Sequence, residues 1–269
     1  MENALQQVFI LFLHLVKRVK RNRLQNCCLL SNMFVTTKGI VLHKIKYSDT
    51  SLIVKIFTEK FGTQSFIVKN AFAKKTKINH TFFTSLALLE VTFDDHQLHK
   101  LSFLKDVSFI SHFKVIPFDP LRNSILFFYN ELFYKLLFSS MQDEMMYEIM
   151  ENGILELDNP NDFKPDQHLH LLSRVIHCLG ISPENDYSSL KPYFCLEENR
   201  FGDLYLENKL FLSASASSYF SEILALKVIH TPSKMIRNEV LYGMVNYLIM
   251  NNEHIKSIDS LPILIDLMK

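Results

Sequence analysis

Lys69, Lys74, Lys75 and Lys77 put four ammonium groups within nine residues, and Lys38, Lys44, Lys46, Lys55 and Lys60 lead up to them. Tyr47, Phe61, Phe66 and Phe72 are interleaved with these cations. Lysines spaced in this way can track a phosphate backbone by displacing its counterions, and aromatic rings between them can stack on unpaired bases. The plainer alternative is that Phe57 and Phe66 fill a core while the lysines only solvate an outer face. That alternative suits most of the aromatics, but the Lys69–Lys77 cluster is dense enough to call for a partner.

Other groups offer less chemistry. His168 and His170 are two apart on an expected helix and so point to different faces. His170 and His177 are seven apart, about 10 Å along a helix axis, too far to share one metal ion. The carboxylate pairs Asp94-Asp95, Asp143-Glu144 and Glu197-Glu198 fall in expected turns or at helix starts, where acids are solvated or match the helix dipole. No H-E-x-x-H, G-x-S-x-G, phosphate-loop or dinucleotide fingerprint occurs, and the chain has only 6 glycines for phosphate-cradling loops. The residues therefore read as a binding protein, not an enzyme, with no cofactor and no metal.

The lysines need a scaffold, and the flanking apolar runs supply one. Gly39–Ile45, Ser51–Phe57, Gln64–Val68, Leu86–Phe93 and Leu98–Val107 are rich in β-branched and aromatic residues. Tyr47-Ser48-Asp49, Glu59-Lys60-Phe61-Gly62 and Asp94-Asp95-His96 supply turns between them. Five strands over about eighty residues, with no long helix between them, suit a five-stranded Greek-key barrel of the OB type. After Val115 the period changes to that of helices. Asp119 can cap a helix begun by Pro120, and helices are expected at Leu121–Ser140, Glu144–Leu157, Asp166–Leu179, Ser213–Lys227, Pro232–Met250 and Ile255–Met268. Between them, residues 182–212 hold two candidate short strands, Tyr193–Leu196 and Asp203–Leu206. The expected class is α+β: a barrel over residues 33–115, then a helical domain over 116–269 with one small β excursion.

The net charge of +1 over 269 residues conceals a segregation. Met33–Val115 holds 12 lysines against 6 acids, a net of +6, whereas Ile116–Lys269 holds 12 basic residues against 21 acids, a net of −9. A polyanion should follow the first part of the chain and avoid the second. Residues 1–32 stand apart. Val8–Val16 is apolar but too short to cross a bilayer, and the basic KRVKRNR run lies after it, unlike a secretory signal. Two readings stay open: a basic amphipathic helix that touches a membrane or anionic partner, or an over-extended start with Met33 as the physiological first residue. Cys27, Cys28, Cys178 and Cys195 form no C-x-x-C pair, which fits reduced thiols in a cytoplasmic protein.

The order of these parts resembles a known family. T-K-G-I-V-L from Thr37, Y-S-D-T-S-L-I-V from Tyr47, K-N-A from Lys69 with Lys74-Lys75, and L-L-E-V from Leu88 are similar to the N-terminal barrel of the bacterial recombination mediator family RecO. Phe118-Asp119-Pro120, the L-S-R-V-I-H-C-L-G helix end at Leu172–Gly180 and the closing Tyr247–Leu267 segment extend the resemblance to roughly Met33–Met268. It implies a DNA-repair factor of the RecF pathway that binds single- and double-stranded DNA and anneals complementary strands. It further implies contacts with RecR and single-strand-binding protein, help in loading RecA onto coated DNA, and a nucleoid-associated place in the cytoplasm.

On that resemblance Lys38, Lys44, Lys46, Lys69, Lys74, Lys75 and Lys77 would form the DNA face. The acidic tail of single-strand-binding protein would need an apolar pocket rimmed by a base, for which Arg122, Arg174 and Arg237 are candidates. Many members carry a four-cysteine zinc module after the helix that ends in L-G. This chain has only Cys195 in that window, so a metal-free hairpin around Tyr193-Phe194 and Phe201 is expected instead. A different class of function, an adaptor whose barrel binds an acidic protein surface without nucleic acid, is the alternative.

Overall fold

The computed structural model describes residues 34–94, 98, 100–139, 141–203, 209–227 and 231–268. The readings for residues 1–33, including Cys27 and Cys28, lie outside them, as do Asp95-His96 and the Leu204–Leu206 part of an expected strand.

Five strands come first: β1 (Phe34–Lys46), β2 (Leu52–Thr58), β3 (Gly62–Val68), β4 (Leu88–Asp94) and β5 (Leu101–Phe109). They close into a barrel in the order β1-β2-β3-β5-β4, antiparallel except where β3 and β5 run parallel. This is the OB-type barrel that the alternating pattern predicts. Val41, Val54, Ile56, Phe66, Val68, Leu89, Val91 and Phe93 alternate inward and form one buried cluster, with Phe66 and Phe93 ring to ring at 4.9 Å. Burying each such side chain contributes about 1.5–3 kcal/mol. The β2–β3 turn is closed by Thr58, whose hydroxyl donates to the Gly62 carbonyl (2.8 Å) and accepts from the Phe61 N–H (3.1 Å). Gly62 sits at φ +65°, a conformation costly for other residues.

β1 begins five residues before its expected start because Phe34–Lys38 pairs with β4, and the hydroxyls of Thr36 and Thr92 bond across the two strands at 2.9 Å. Farther along, the β1–β2 register slips between Val41 and His43. Val41 faces Ile56 inside the barrel, Leu42 is the extra residue, and Lys44 then falls opposite Val54. The bulge therefore moves Lys44 and Lys46 to the face opposite the one Lys38 occupies.

The helices are α1 (Pro120–Leu136), α2 (Glu144–Leu157), α3 (Gln167–Cys178), α4 (Ala214–Leu224), α5 (Lys234–Met250) and α6 (Ser260–Leu267). Four of these starts follow the capping rules: Asp119 accepts from the N–H groups of Leu121 and Arg122, Asp143 from Met146, Ser213 from Ala216 and Ser233 from Ile236. Gly180 at φ +69° ends α3. No described helix is long and apolar enough to cross a membrane.

Barrel and helices share a second core. Ile40, Leu42, Phe57 and Leu88 point out of the barrel into the cluster built by α1 to α6, and Phe57 meets Tyr147 of α2 at 6.2 Å. Asp158, just past α2, locks the junction. Its carboxylate accepts the backbone N–H groups of Lys114 (2.7 Å), Val115 (2.9 Å) and Ile116 (3.0 Å), the residues that lead from β5 into α1.

The β excursion is a small sheet ordered β7-β6-β8, from β6 (Tyr193–Cys195), β7 (Arg200–Gly202) and β8 (Phe211–Leu212). The second short strand thus lies before Asp203, because Phe201 turns inward with Phe194 (4.9 Å) and both rings pack on Phe220. The residues here do not fit a four-cysteine zinc module. Cys195 is buried in β6, and Cys178 points at Asp143 (3.9 Å); burial above all, helped by the Asp143 charge, pushes its thiol up to about 11. Among the described residues no group of three or more His, Cys, Asp or Glu could hold a metal ion.

Candidate nucleic-acid interface

Strand direction decides which lysines meet. β1 ends, β2 begins and β3 ends at the same mouth of the barrel, since Lys46 pairs with Leu52 and Leu52 with Val68. Lys44, Lys46, Lys69 and the loop that carries Lys74, Lys75 and Lys77 therefore gather at one end. Lys38 does not join them. It sits toward the other end of β1 and reaches Glu151 of α2 at 3.3 Å.

The loop is held at its base. The Ala73 N–H donates to the Asn70 carbonyl (3.0 Å), the His80 N–H to the Ala71 carbonyl (2.9 Å), Ala71 is fully buried, and Phe72 stacks on His80 at 5.1 Å. Lys74 and Lys75 project from this anchored loop into solvent, with their charges uncompensated by any ion pair among the described residues. Lys77 spends part of its charge on Asp106 of β5 (3.0 Å), and that hydrogen bond holds Asp106 below the usual carboxylate range. Lys46 lies 3.2 Å from Asp49 in an exposed pair worth little. Lys69 stands over the ring of Phe103, 4.4 Å from its centroid.

Of the interleaved aromatics, Phe66 belongs to the barrel interior and Phe61 packs edge-on against Phe93 at 5.6 Å, while Tyr47 and Phe72 are exposed. Lys55 is drawn into the junction with the helices. Its ammonium donates to the Phe138 carbonyl (2.7 Å) and lies 3.1 Å from the Phe138 ring centroid, and burial holds its pKa below the ordinary lysine value.

The three arginines lie on three helices and are not brought together. Arg122 is 6% exposed, donates to the carbonyls of Leu157 (2.9 Å) and Asn159 (2.6 Å), and ties α1 to the end of α2. Arg174 grips Glu156 with two hydrogen bonds (2.8 and 3.1 Å), and Arg237 donates to the Pro232 carbonyl (2.7 Å). A cavity of about 600 Å³ opens elsewhere, between the lysine-bearing mouth and α1. Phe109, Phe113 and Phe127 line it, with Lys44 and His112 in its wall.

The matches to known proteins agree with this architecture. A family model described as Recombination protein O N terminal covers residues 33–113, the barrel and its lysine loop. The DNA repair protein RecO of Bacteroides fragilis is 33% identical over 162 residues, 60% of this chain and 67% of its own length. The chain belongs to the RecO family. Longer RecO matches at lower identity reach the helices. The DNA repair protein RecO of Phocaeicola vulgatus is 26% identical over 239 residues, 87% of this chain and 99% of its own. That of Flavobacterium psychrophilum is 28% identical over 224 residues, 80% and 92% of the two chains. Membership in RecO carries a role in DNA repair and recombination.

Sequence reasoning missed two features of this RecO barrel. The cavity depends on how α1 folds back on the barrel, which no local pattern announces. The other is the outer face of β5, where Leu101, Phe103 and Lys105 alternate outward. That phase was readable, because Ser102 and Leu104 take the inward positions.

Proposed function

We propose that this chain binds DNA by its charge at the lysine-bearing mouth of the barrel and acts as a recombination mediator of the RecF pathway. The observation that carries the reading is the strand polarity that collects Lys44, Lys46, Lys69, Lys74, Lys75 and Lys77 at one end, with Lys74 and Lys75 in no ion pair among the described residues. Neutralising phosphates on two strands at once lowers the repulsion that slows their pairing, which is how a protein without catalytic groups would anneal complementary single strands. The acidic helical part would keep DNA on the barrel side.

RecR and single-strand-binding protein are the partners this reading requires, with RecA served indirectly. Of the candidate docking points for an acidic tail, the cavity beside Lys44 and His112, apolar and rimmed by a base, suits it better than Arg122, whose guanidinium is already committed to carbonyls. The same cavity favours the second reading, an adaptor that binds only protein. Annealing of two complementary oligonucleotides, one carrying a fluorophore and the other a quencher, separates the two. The mediator reading expects acceleration by the wild-type chain, loss of that acceleration in a Lys74→Glu, Lys75→Glu, Lys77→Glu variant, and unchanged melting. Equal rates with and without protein would leave the adaptor.

A further inference from the structure

The outer wall of the barrel carries an apolar row that neither core covers. Ile45 pairs with Ile53, Ile53 with Ile67 and Ile67 with Phe103, so the four side chains line up across β1, β2, β3 and β5 on the solvent face. Phe103 is 50% exposed, and Phe34, farther round the barrel on the same outward phase of β1, is 43% exposed. Both rings lie outside the two hydrophobic clusters. Each has an ammonium over its face: Lys69 at 4.4 Å from the Phe103 centroid and Lys105 at 3.3 Å from that of Phe34. Ile45 and Phe103 are exposed, and Ile53 and Ile67 between them are half-buried; an apolar row outside both cores marks a contact surface, and its cations select for a partner that is both flat and anionic.

We propose that Phe103, with Phe34, is a stacking platform for unpaired bases, and that this face makes the protein discriminate single-stranded from paired DNA. The inference rests on the DNA-binding reading above and deepens it. In the free protein each lysine shields the open face of its ring. A base that slides onto the ring displaces the ammonium, which then reaches the adjacent phosphate, so one exchange satisfies both halves of a nucleotide. Bases in a duplex already stack on each other and cannot make the exchange; paired DNA is left with the lysines alone. Two acids border the row: Asp94, paired with Phe34 across β1 and β4, and Asp106, which lies 3.0 Å from the Lys77 ammonium.

The chain contains no tryptophan, so Phe103→Trp places a single fluorescent reporter on the platform. Phe103 is half exposed, and the substitution leaves both cores untouched. With binding followed independently by anisotropy of a labelled strand, saturating oligothymidine should quench the tryptophan emission, and a duplex of equal length, also bound, should not. In parallel, Phe103→Ala with Phe34→Ala should weaken oligothymidine binding by about tenfold or more, while duplex affinity and the salt dependence of both stay at wild-type values. Bound oligothymidine without quenching, or equal losses on single strand and duplex, would overturn the platform while leaving charge-driven binding intact; the row would then be a protein-docking surface. No binding of either DNA by the wild-type chain would overturn both readings together.

Discussion

The carboxylate of Glu131 on α1 reaches the start of α6 and accepts the backbone N–H of Ser260 at 2.8 Å. It also takes the Ser260 hydroxyl (2.6 Å), the Asp259 N–H (2.8 Å) and the ammonium of Lys135 (2.5 Å), so one side chain caps the last helix from another element. Burial alone would raise its pKa, but these donors outweigh it and hold the group at about 2. A folded pKa below the ordinary value of 4.5 means that this stabilisation is fully present above pH 4.5 and fades as pH falls toward 2. Glu131→Gln should cost about 1–2 kcal/mol at pH 7 by urea melts, since charge-assisted bonds are the stronger kind. The gap to wild type should narrow below pH 4.5 and close only near pH 2.

Arg122→Met should destabilise the fold by about 2–3 kcal/mol, because it leaves the buried Leu157 carbonyl and the partly buried Asn159 carbonyl without this donor. Arg174→Met breaks a pair with a half-exposed glutamate and should cost less than about 1 kcal/mol. Thermal melts of the two variants side by side check the ranking, and DNA affinity should be unchanged in both.

His168 is enclosed at the start of α3 with neither ring nitrogen hydrogen-bonded, and burial above all lowers its pKa from 6.5 to about 3. The folded state keeps it neutral while the unfolded chain takes up a proton below pH 6.5, so stability falls with pH between 6.5 and 3. His168→Leu should melt higher than wild type at pH 7, and its stability should decline less steeply from pH 6.5 to 4.5. Parallel profiles for the two proteins would contradict this.

Lys38 separates charge from position. It is a barrel lysine like the others, yet it serves the contact with Glu151. Lys38→Ala should change oligonucleotide affinity less than about twofold and cost at most about 1 kcal/mol of stability. A loss comparable to that of a loop lysine would extend the DNA face over α2.

Much of this was legible in the residues. The inward alternation of Val54, Ile56, Phe66 and Val68 specified a barrel, and Asp119-Pro120 and Gly180 marked helix ends that the structure keeps. What was not legible depended on partners distant in sequence. The bulge at Leu42 exists only against β2, and it alone decides that Lys44 and Lys38 face opposite ways. The early start of β1 comes from Thr36 meeting Thr92. Arg122 read as a candidate base for an acidic tail because its carbonyl partners lie 35 and 37 residues away. The outer face of β5 has no run of lysines to mark it: Lys105 stands alone in sequence, and its place over Phe34 depends on strand pairing.

The salt dependence of binding to a single-stranded oligonucleotide tests the central claim most directly, by comparing wild type with the Lys74→Glu, Lys75→Glu, Lys77→Glu variant. Each lost phosphate contact lowers the slope of log affinity against log salt by about 0.7. If the barrel mouth grips DNA by its charge, the variant should bind far more weakly at low salt, with a slope shallower by about 2. Wild-type affinity and slope in the variant would contradict the account.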